Sequence, residues 1–337
     1  MRSNVTNDLN YTTLSNYLDS GIETNYGVYT KNLNAIAKND NKYKNSPQSE
    51  FMSGYMFNMS LPLFKENTDT LSTLKPKLNL RFSPNDMKNH KDSGGRISAG
   101  NIFSFNRLGL SDSMEDGASL TLGIDYKREE KIKESNNKKK TGKEVLDFFE
   151  LKLATVIRAK EEKNIPTTST INNKNSNIVG AINYSSSEYL SLNYDFSIDN
   201  DLKSFEYNSI DAEITYNNFS TTVKFLEETG VIGKAHILQN TFRYDFTNNN
   251  SLQFNTRRNK EINLTEYYDL IYEYKNDCLT AAIEFKKQFY NNADIKPLEE
   301  LYFSITIVPL GTFSPEPIIP KSVFNEDFKN ILREVTE

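Results

Sequence analysis

The sequence predicts an all-β fold, a large antiparallel transmembrane β-barrel, on three observations. Apolar and polar residues alternate over runs of about 9 to 13 residues, and the connections between runs alternate short and long. The composition of 19 Tyr, 21 Phe, no Trp and 10 Pro suits aromatic-rich strands joined by polar turns. A soluble sandwich generally uses strands of about five or six residues, whereas these are long enough to cross a bilayer at a tilt. A sandwich of this size also needs two greasy faces packed together, and no helix-like covering segment or domain linker interrupts the meander.

The N-terminal half carries the pattern less regularly, with strands expected near 3–15, 23–36, 51–64, 74–83, 118–128, 144–158 and 177–184. The charged run from Lys131 to Lys143 reads as a solvated turn or insertion between two of them. After it the alternation is clean. Leu190, Leu192, Tyr194, Phe196 and Ile198 oppose Ser191, Asn193, Asp195 and Ser197. Ile210, Ala212, Ile214 and Tyr216 oppose Asp211, Glu213 and Thr215, and Phe219, Thr221, Val223 and Phe225 oppose Ser220, Thr222 and Lys224.

Leu238, Phe242, Tyr244 and Phe246 alternate with Gln239, Thr241, Arg243 and Asp245, and Leu252 and Phe254 follow the Asn248-Asn249-Asn250 turn. Near the end Leu279, Ala281, Ile283 and Phe285 alternate with Thr280, Ala282, Glu284 and Lys286 before a last apolar row of Leu301, Phe303, Ile305 and Ile307. The total is roughly 15 consecutive antiparallel strands. In a membrane barrel the apolar rows face lipid, and Glu213, Arg243 and Glu284 face a watery lumen.

Connections near Ser185, Asn217, Asn248 and Asn276 are short, and those at 199–203, 229–235, 260–266 and 291–299 are longer. Outer-membrane barrels place short turns on the periplasmic side, which puts the single cysteine, Cys278, in a periplasmic turn. That thiol is either an ordinary turn residue or one whose partner lies on another piece of protein. Residues 1–308 are expected to form barrel wall, and 309–337 a periplasmic tail with a short amphipathic stretch around Phe324, Phe328, Ile331 and Leu332.

Met1-Arg2-Ser3-Asn4 leads into polar sequence, not the apolar run of a signal peptide. With an odd strand count, this leads to the expectation of an incomplete barrel.

Several function classes are disfavoured. A net charge of -5 gives no broad electrostatic footprint for nucleic acid. No segment approaches the roughly 20 apolar residues of a membrane helix. His90 and His236 have no metal-ligand spacing, and one cysteine makes no zinc cluster. The chain has no nucleophile elbow, and Gly94-Gly95 and Gly100 form no nucleotide-binding loop. No catalytic residue, metal or cofactor is expected.

Residues 100–126 narrow the function most. Physically they form a polar, glycine-bearing loop turning into an alternating strand, in which Arg107, Asp112 and Glu115 read as a solvated loop network. The order Asn106-Arg107, Gly109, Asp112, Glu115-x-Gly117 and Gly123-x-x-Tyr126 also resembles the C-terminal barrel of the lipopolysaccharide-assembly outer-membrane protein, the organic-solvent-tolerance family. The resemblance extends through Leu74 to Pro84 and through the block from Tyr267 to Tyr290.

The resemblance implies a large barrel in the outer membrane of a Gram-negative bacterium. It implies a protein that receives lipopolysaccharide from a periplasmic bridge, holds a plug lipoprotein in its lumen, and passes the glycolipid to the outer leaflet through a lateral seam. It further implies an N-terminal periplasmic jelly roll, joined to the barrel by disulfides and, with the first barrel strands, not found in this sequence. Cys278 matches the cysteine region of that bridge, though with Asp277-Cys278 where many relatives carry a pair. Arg107, Asp112 and Glu115 would organise an extracellular or lumen-folded loop beneath the exit. The terminal seam would lie at 300–308, where Leu301, Phe303, Ile305 and Ile307 precede Pro309, which lacks the N–H needed to continue a ladder. The alternatives are a passive porin or nutrient channel and a soluble β-rich surface protein.

Overall fold

A computed structural model describes residues 2–40, 43–130, 147–186, 189–292, 295–308 and 310–314. The run 131–143, Pro309 and the amphipathic tail stretch lie outside the described residues. The chain forms two compact units, one from Met1–Ser187, Leu192–Ser209 and Glu228–Lys234, the other from Glu188–Ser191, Ile210–Glu227 and Ala235–Glu337.

Among the described residues eighteen strands belong to one sheet, which is not closed into a complete barrel. The first are β1 (Arg2–Thr12), β2 (Asn16–Tyr17), β3 (Glu23–Ala37), β4 (Gln48–Ser60), β5 (Leu63–Glu66) and β6 (Thr70–Ser83). Then come β7 (Gly117–Glu130), β8 (Phe148–Arg158), β9 (Ile178–Ser186), β10 (Leu190–Ile198), β11 (Phe205–Tyr216) and β12 (Phe219–Glu228). The last are β13 (Ala235–Thr247), β14 (Asn250–Asn259), β15 (Leu264–Lys275), β16 (Leu279–Gln288), β17 (Leu298–Ile307) and β18 (Gly311–Phe313).

The roughly 15 expected strands correspond to the long ones. The structure adds three of two to four residues, β2, β5 and β18, too short to show an alternation. The strand expected at 51–64 is interrupted at Leu61-Pro62, because proline supplies no N–H to the ladder. The pairing does not slip there, since Ser60 opposes Lys77 and Leu63 opposes Leu74 in one register.

In the second unit the two faces separate cleanly. Phe242, Phe254, Leu270, Phe285 and Leu301 stand in one cross-strand row over β13–β17. Tyr244, Leu252, Tyr272, Ile283 and Phe303 form the next apolar row. On the other face Thr241, Asn255, Asp269, Lys286 and Glu300 line up, beside Arg243, Gln253, Ile271, Glu284 and Tyr302. A one-residue slip would turn every charge of these rows into the apolar face, so the register is strongly specified.

The first unit has the same apolar outward rows, such as Tyr26, Phe57, Leu80, Leu120 and Ile157 across β3, β4, β6, β7 and β8. Its inward face differs. Tyr29, Leu33, Ala35 and Ala37 of β3 are buried rather than wet, because connecting segments lie on them.

Candidate functional site

Two connections fold onto the inward face of the first unit, residues 84–116 between β6 and β7 and residues 159–177 between β8 and β9. They are stitched to each other through the backbone. His90 N–H donates to the Asn164 carbonyl at 2.8 Å, Thr167 N–H to Lys91 at 3.1 Å, and the Thr168 hydroxyl to Gly95 at 2.9 Å.

Two apolar clusters hold them to the wall. In one, Ile102, Leu108 and Leu110 pack with Val156, Ile165 and Val179. In the other, Phe105 and Met114 pack with Tyr29, Leu33 and Met52. Two strand glycines make the approach possible. A Cβ at Gly54 would lie 2.5 Å from Phe105 Cζ, and one at Gly123 2.6 Å from Phe103 Cζ.

These clusters enclose a charged centre. The Glu115 carboxylate, only 3% exposed, accepts from Arg107 Nε at 2.9 Å and Nη2 at 2.5 Å, and from Arg158 Nη1 at 2.6 Å. Arg81 Nε stands 3.9 Å from the same group, and its guanidinium donates to the Phe105 carbonyl and lies over the Phe105 ring. Arg107 also donates to Thr121 Oγ1 at 3.0 Å and Ser119 Oγ at 3.1 Å, two inward hydroxyls of β7. Arg158 reaches the Asp116 carbonyl at 2.6 Å.

Burial alone would raise the Glu115 pKa. The adjacent guanidinium of Arg107 and those of Arg81 and Arg158 overcome that effect and hold it at about 2. Asp116 moves the other way, to about 6, because burial and then the hydrogen bond its protonated carboxyl donates to Glu162 favour its neutral form against the pull of Arg158. Three buried guanidiniums therefore surround one firmly ionised carboxylate, an arrangement stable only while that carboxylate is present.

Asp112 belongs to a separate set. Its carboxylate accepts from the Tyr43 hydroxyl and lies 2.9 Å from His90 Nε2. Burial, then the hydrogen bond to Asp112, pushes the Tyr43 hydroxyl pKa up. Nearby, Lys31 Nζ donates to the Leu110 and Ser111 carbonyls at 3.0 and 2.9 Å and lies 3.3 Å from Asp8. A third tie runs from Arg96 to Glu228 at 2.6 Å, with the guanidinium 4.7 Å from the Tyr207 ring centroid.

Arg107 and Glu115 thus meet directly, and Asp112 does not join them. All three are buried, so the solvated loop network expected of them is corrected to a packed interior. Arg81 and Arg158 complete the centre; Arg81 falls within the Leu74 to Pro84 block without a site role expected of it, and Arg158 carries no motif. Each sits at an inward position in the final turn of a strand, where the next connection folds back over it.

The remaining expected positions are dispersed. Cys278 is an exposed free thiol in the turn between β15 and β16, where Asn276 Oδ1 accepts from the Cys278 and Leu279 N–H groups at 3.0 and 2.8 Å. This sequence contains no second cysteine with which Cys278 could pair. Leu301, Phe303, Ile305 and Ile307 lie on the apolar face of β17, and β18 pairs along the far edge of that strand at Ile305, Thr306 and Ile307. Among the described residues no group of three or more His, Cys, Asp or Glu is placed to hold a metal.

A family model described as LptD, LPS transport system D, matches residues 4–257. No curated protein matches the chain. Among solved structures, a triple mutant of the Rhodopseudomonas blastica porin is 11% identical, with 87% of this chain and 92% of that chain covered at a TM-score of 0.33. The siderophore receptor PirA from Acinetobacter baumannii is also 11% identical, with 91% of this chain and 56% of that chain covered at a TM-score of 0.38.

Proposed function

Because this chain belongs to the LptD family, LPS transport system D, and is a transport-related outer-membrane β-barrel protein of a Gram-negative bacterium, we propose that it passes lipopolysaccharide into the outer leaflet through a lateral opening. Moving an amphiphile sideways through a wall needs a polar route for sugars and phosphates, an apolar route for acyl chains, and a seam weak enough to part. It needs no covalent chemistry.

The observation that carries this reading is the unequal pairing of β17. One edge is registered to β16 over ten residue pairs, and the other to β18 over three. A wall parts where the fewest backbone hydrogen bonds must break, since each one broken in lipid is costly. Leu301, Phe303, Ile305 and Ile307 would then be the apolar lining of the terminal seam. Arg107 and Glu115 would fix the inward-folded segment to its own wall, with Asp112 securing that segment's Tyr43 and His90 side. A plug lipoprotein in the lumen and a periplasmic bridge delivering the lipid are the partners this reading requires.

The test uses Thr306 and Thr312, whose hydroxyls are 2.8 Å apart across the β17–β18 ladder. In a Cys278→Ser background of the full-length protein, Thr306→Cys with Thr312→Cys should reduce surface lipopolysaccharide when oxidised and restore it on reduction. Unchanged surface lipopolysaccharide in the fully oxidised protein contradicts the seam. Ion conductance by the purified protein without any lipopolysaccharide phenotype supports a passive channel instead.

A further inference from the structure

We propose that the outward face of the first unit holds the phosphodiester headgroup of a membrane glycerophospholipid, in a cavity beside the turn that joins β5 to β6. This inference rests on the placement of the chain in the outer membrane and not on the lipid-export reading. The registers build the site directly. Lys65 opposes Ser72, Ser72 opposes Arg128, and Arg128 opposes Phe149, so the two cations flank one hydroxyl in a single cross-strand row. Neighbouring strands are about 4.8 Å apart, which sets the backbones carrying Lys65 and Arg128 about 10 Å apart. Both side chains can lean onto one phosphate above Ser72.

The row one step toward the middle of the wall is Leu63, Leu74, Tyr126 and Leu151, which is apolar apart from the tyrosine hydroxyl. The cations therefore sit at the margin of the apolar band, the depth at which headgroup phosphates meet acyl chains and at which barrels carry aromatic girdles. Tyr126 and Phe149 supply that girdle here, with ring centroids 6.2 Å apart. A cavity of about 440 Å³ opens at this point, lined by Leu63, Lys65, Ser72, Tyr126 and Arg128 among others.

The charges are unspent. Lys127, on the opposite face of β7, pairs with Glu129. Among the described residues neither Lys65 nor Arg128 forms an ion pair with a carboxylate. Cations left open at a membrane margin are the chemistry that recognises a lipid phosphate, each contributing about fivefold in affinity. The turn between β5 and β6 is one of the short connections, so the lipid belongs to the leaflet that faces them.

Native mass spectrometry of the detergent-solubilised full-length protein, titrated with phosphatidylglycerol, tests this. The Lys65→Gln and Arg128→Gln double variant should lose retained lipid at least about tenfold. The Lys65→Arg with Arg128→Lys exchange should keep it, and Arg258→Gln, in the other unit, should leave it unchanged. If the double variant fails to assemble, judged by heat-modifiable gel mobility, Arg128→Gln alone carries the test with a loss of about fivefold. Equal retention by the variant overturns the site. So does equal retention of diacylglycerol, which lacks the phosphate, or full displacement by inorganic phosphate, which would mark a free-anion site.

Discussion

The inward surfaces of the two units carry charge under opposite conditions. In the first unit Glu115, Arg81, Arg107 and Arg158 are sealed beneath a folded connection. In the second, Arg243 pairs with Asp245 at 3.0 Å and Arg257 with Glu266 at 2.9 Å on a strand surface that stays partly exposed. Water screens the second set, so each pair contributes little and each is replaceable. The first set has no solvent to fall back on, and its members are interdependent. The same residue types act as a latch in one place and as a wettable lining in the other.

The largest way to break this contrast is Glu115→Ala. It leaves three buried guanidiniums without their carboxylate and should cost about 3–5 kcal/mol, read as loss of stability in denaturant titration of the detergent-solubilised protein. Next is Gly54→Val, which places a side chain where the Phe105 ring lies. About 1–3 kcal/mol of overpacking is expected, together with faster proteolysis within residues 97–116.

The pH dependence follows, and its two parts have opposite signs. Glu115, lowered from 4.5 to about 2, contributes stability that is fully present above about pH 4.5 and lost as pH falls through 2. Asp116, raised from 3.8 to about 6, favours the folded state most below about pH 4, and that contribution is lost as pH rises through 6. Thermal melts across this range should show both slopes, and Asp116→Asn should remove only the second. The smallest effect is expected of Arg257→Ala in the second unit, about 0–1 kcal/mol in the same denaturant titration.

The contrast also explains what could be read from the sequence. Strands of the second unit have one dry and one wet face, so Phe242, Tyr244 and Phe246 alternate with Arg243 and Asp245 and reveal themselves by period alone. In the first unit Tyr29, Leu33, Ala35 and Ala37 are apolar on the inward face while Tyr26 and Val28 are apolar outward. The blurred alternation of the N-terminal half is the imprint of a wall that is apolar on both faces, packed under connections on one and exposed on the other.

The connection at 84–116 has no secondary-structure period, so period alone does not separate a solvated loop from a packed one. Two signals point to the packed state: Gly54 and Gly123 inside otherwise ordinary strands, and the apolar residues Ile102, Phe103, Phe105, Leu108 and Leu110 within the connection. Arg81 and Arg158 were not legible as partners of Glu115, because their meeting depends on where three strand ends converge under the fold of that connection.

Amide hydrogen exchange of residues 101–116 in the detergent-solubilised full-length protein tests the sealed centre most directly. Protection matching that of strand β7, and its selective loss in Glu115→Gln, is the result expected if the charged latch holds the segment to the wall. Exchange in the unsubstituted protein as fast as in the exposed turn at 248–249 would contradict it.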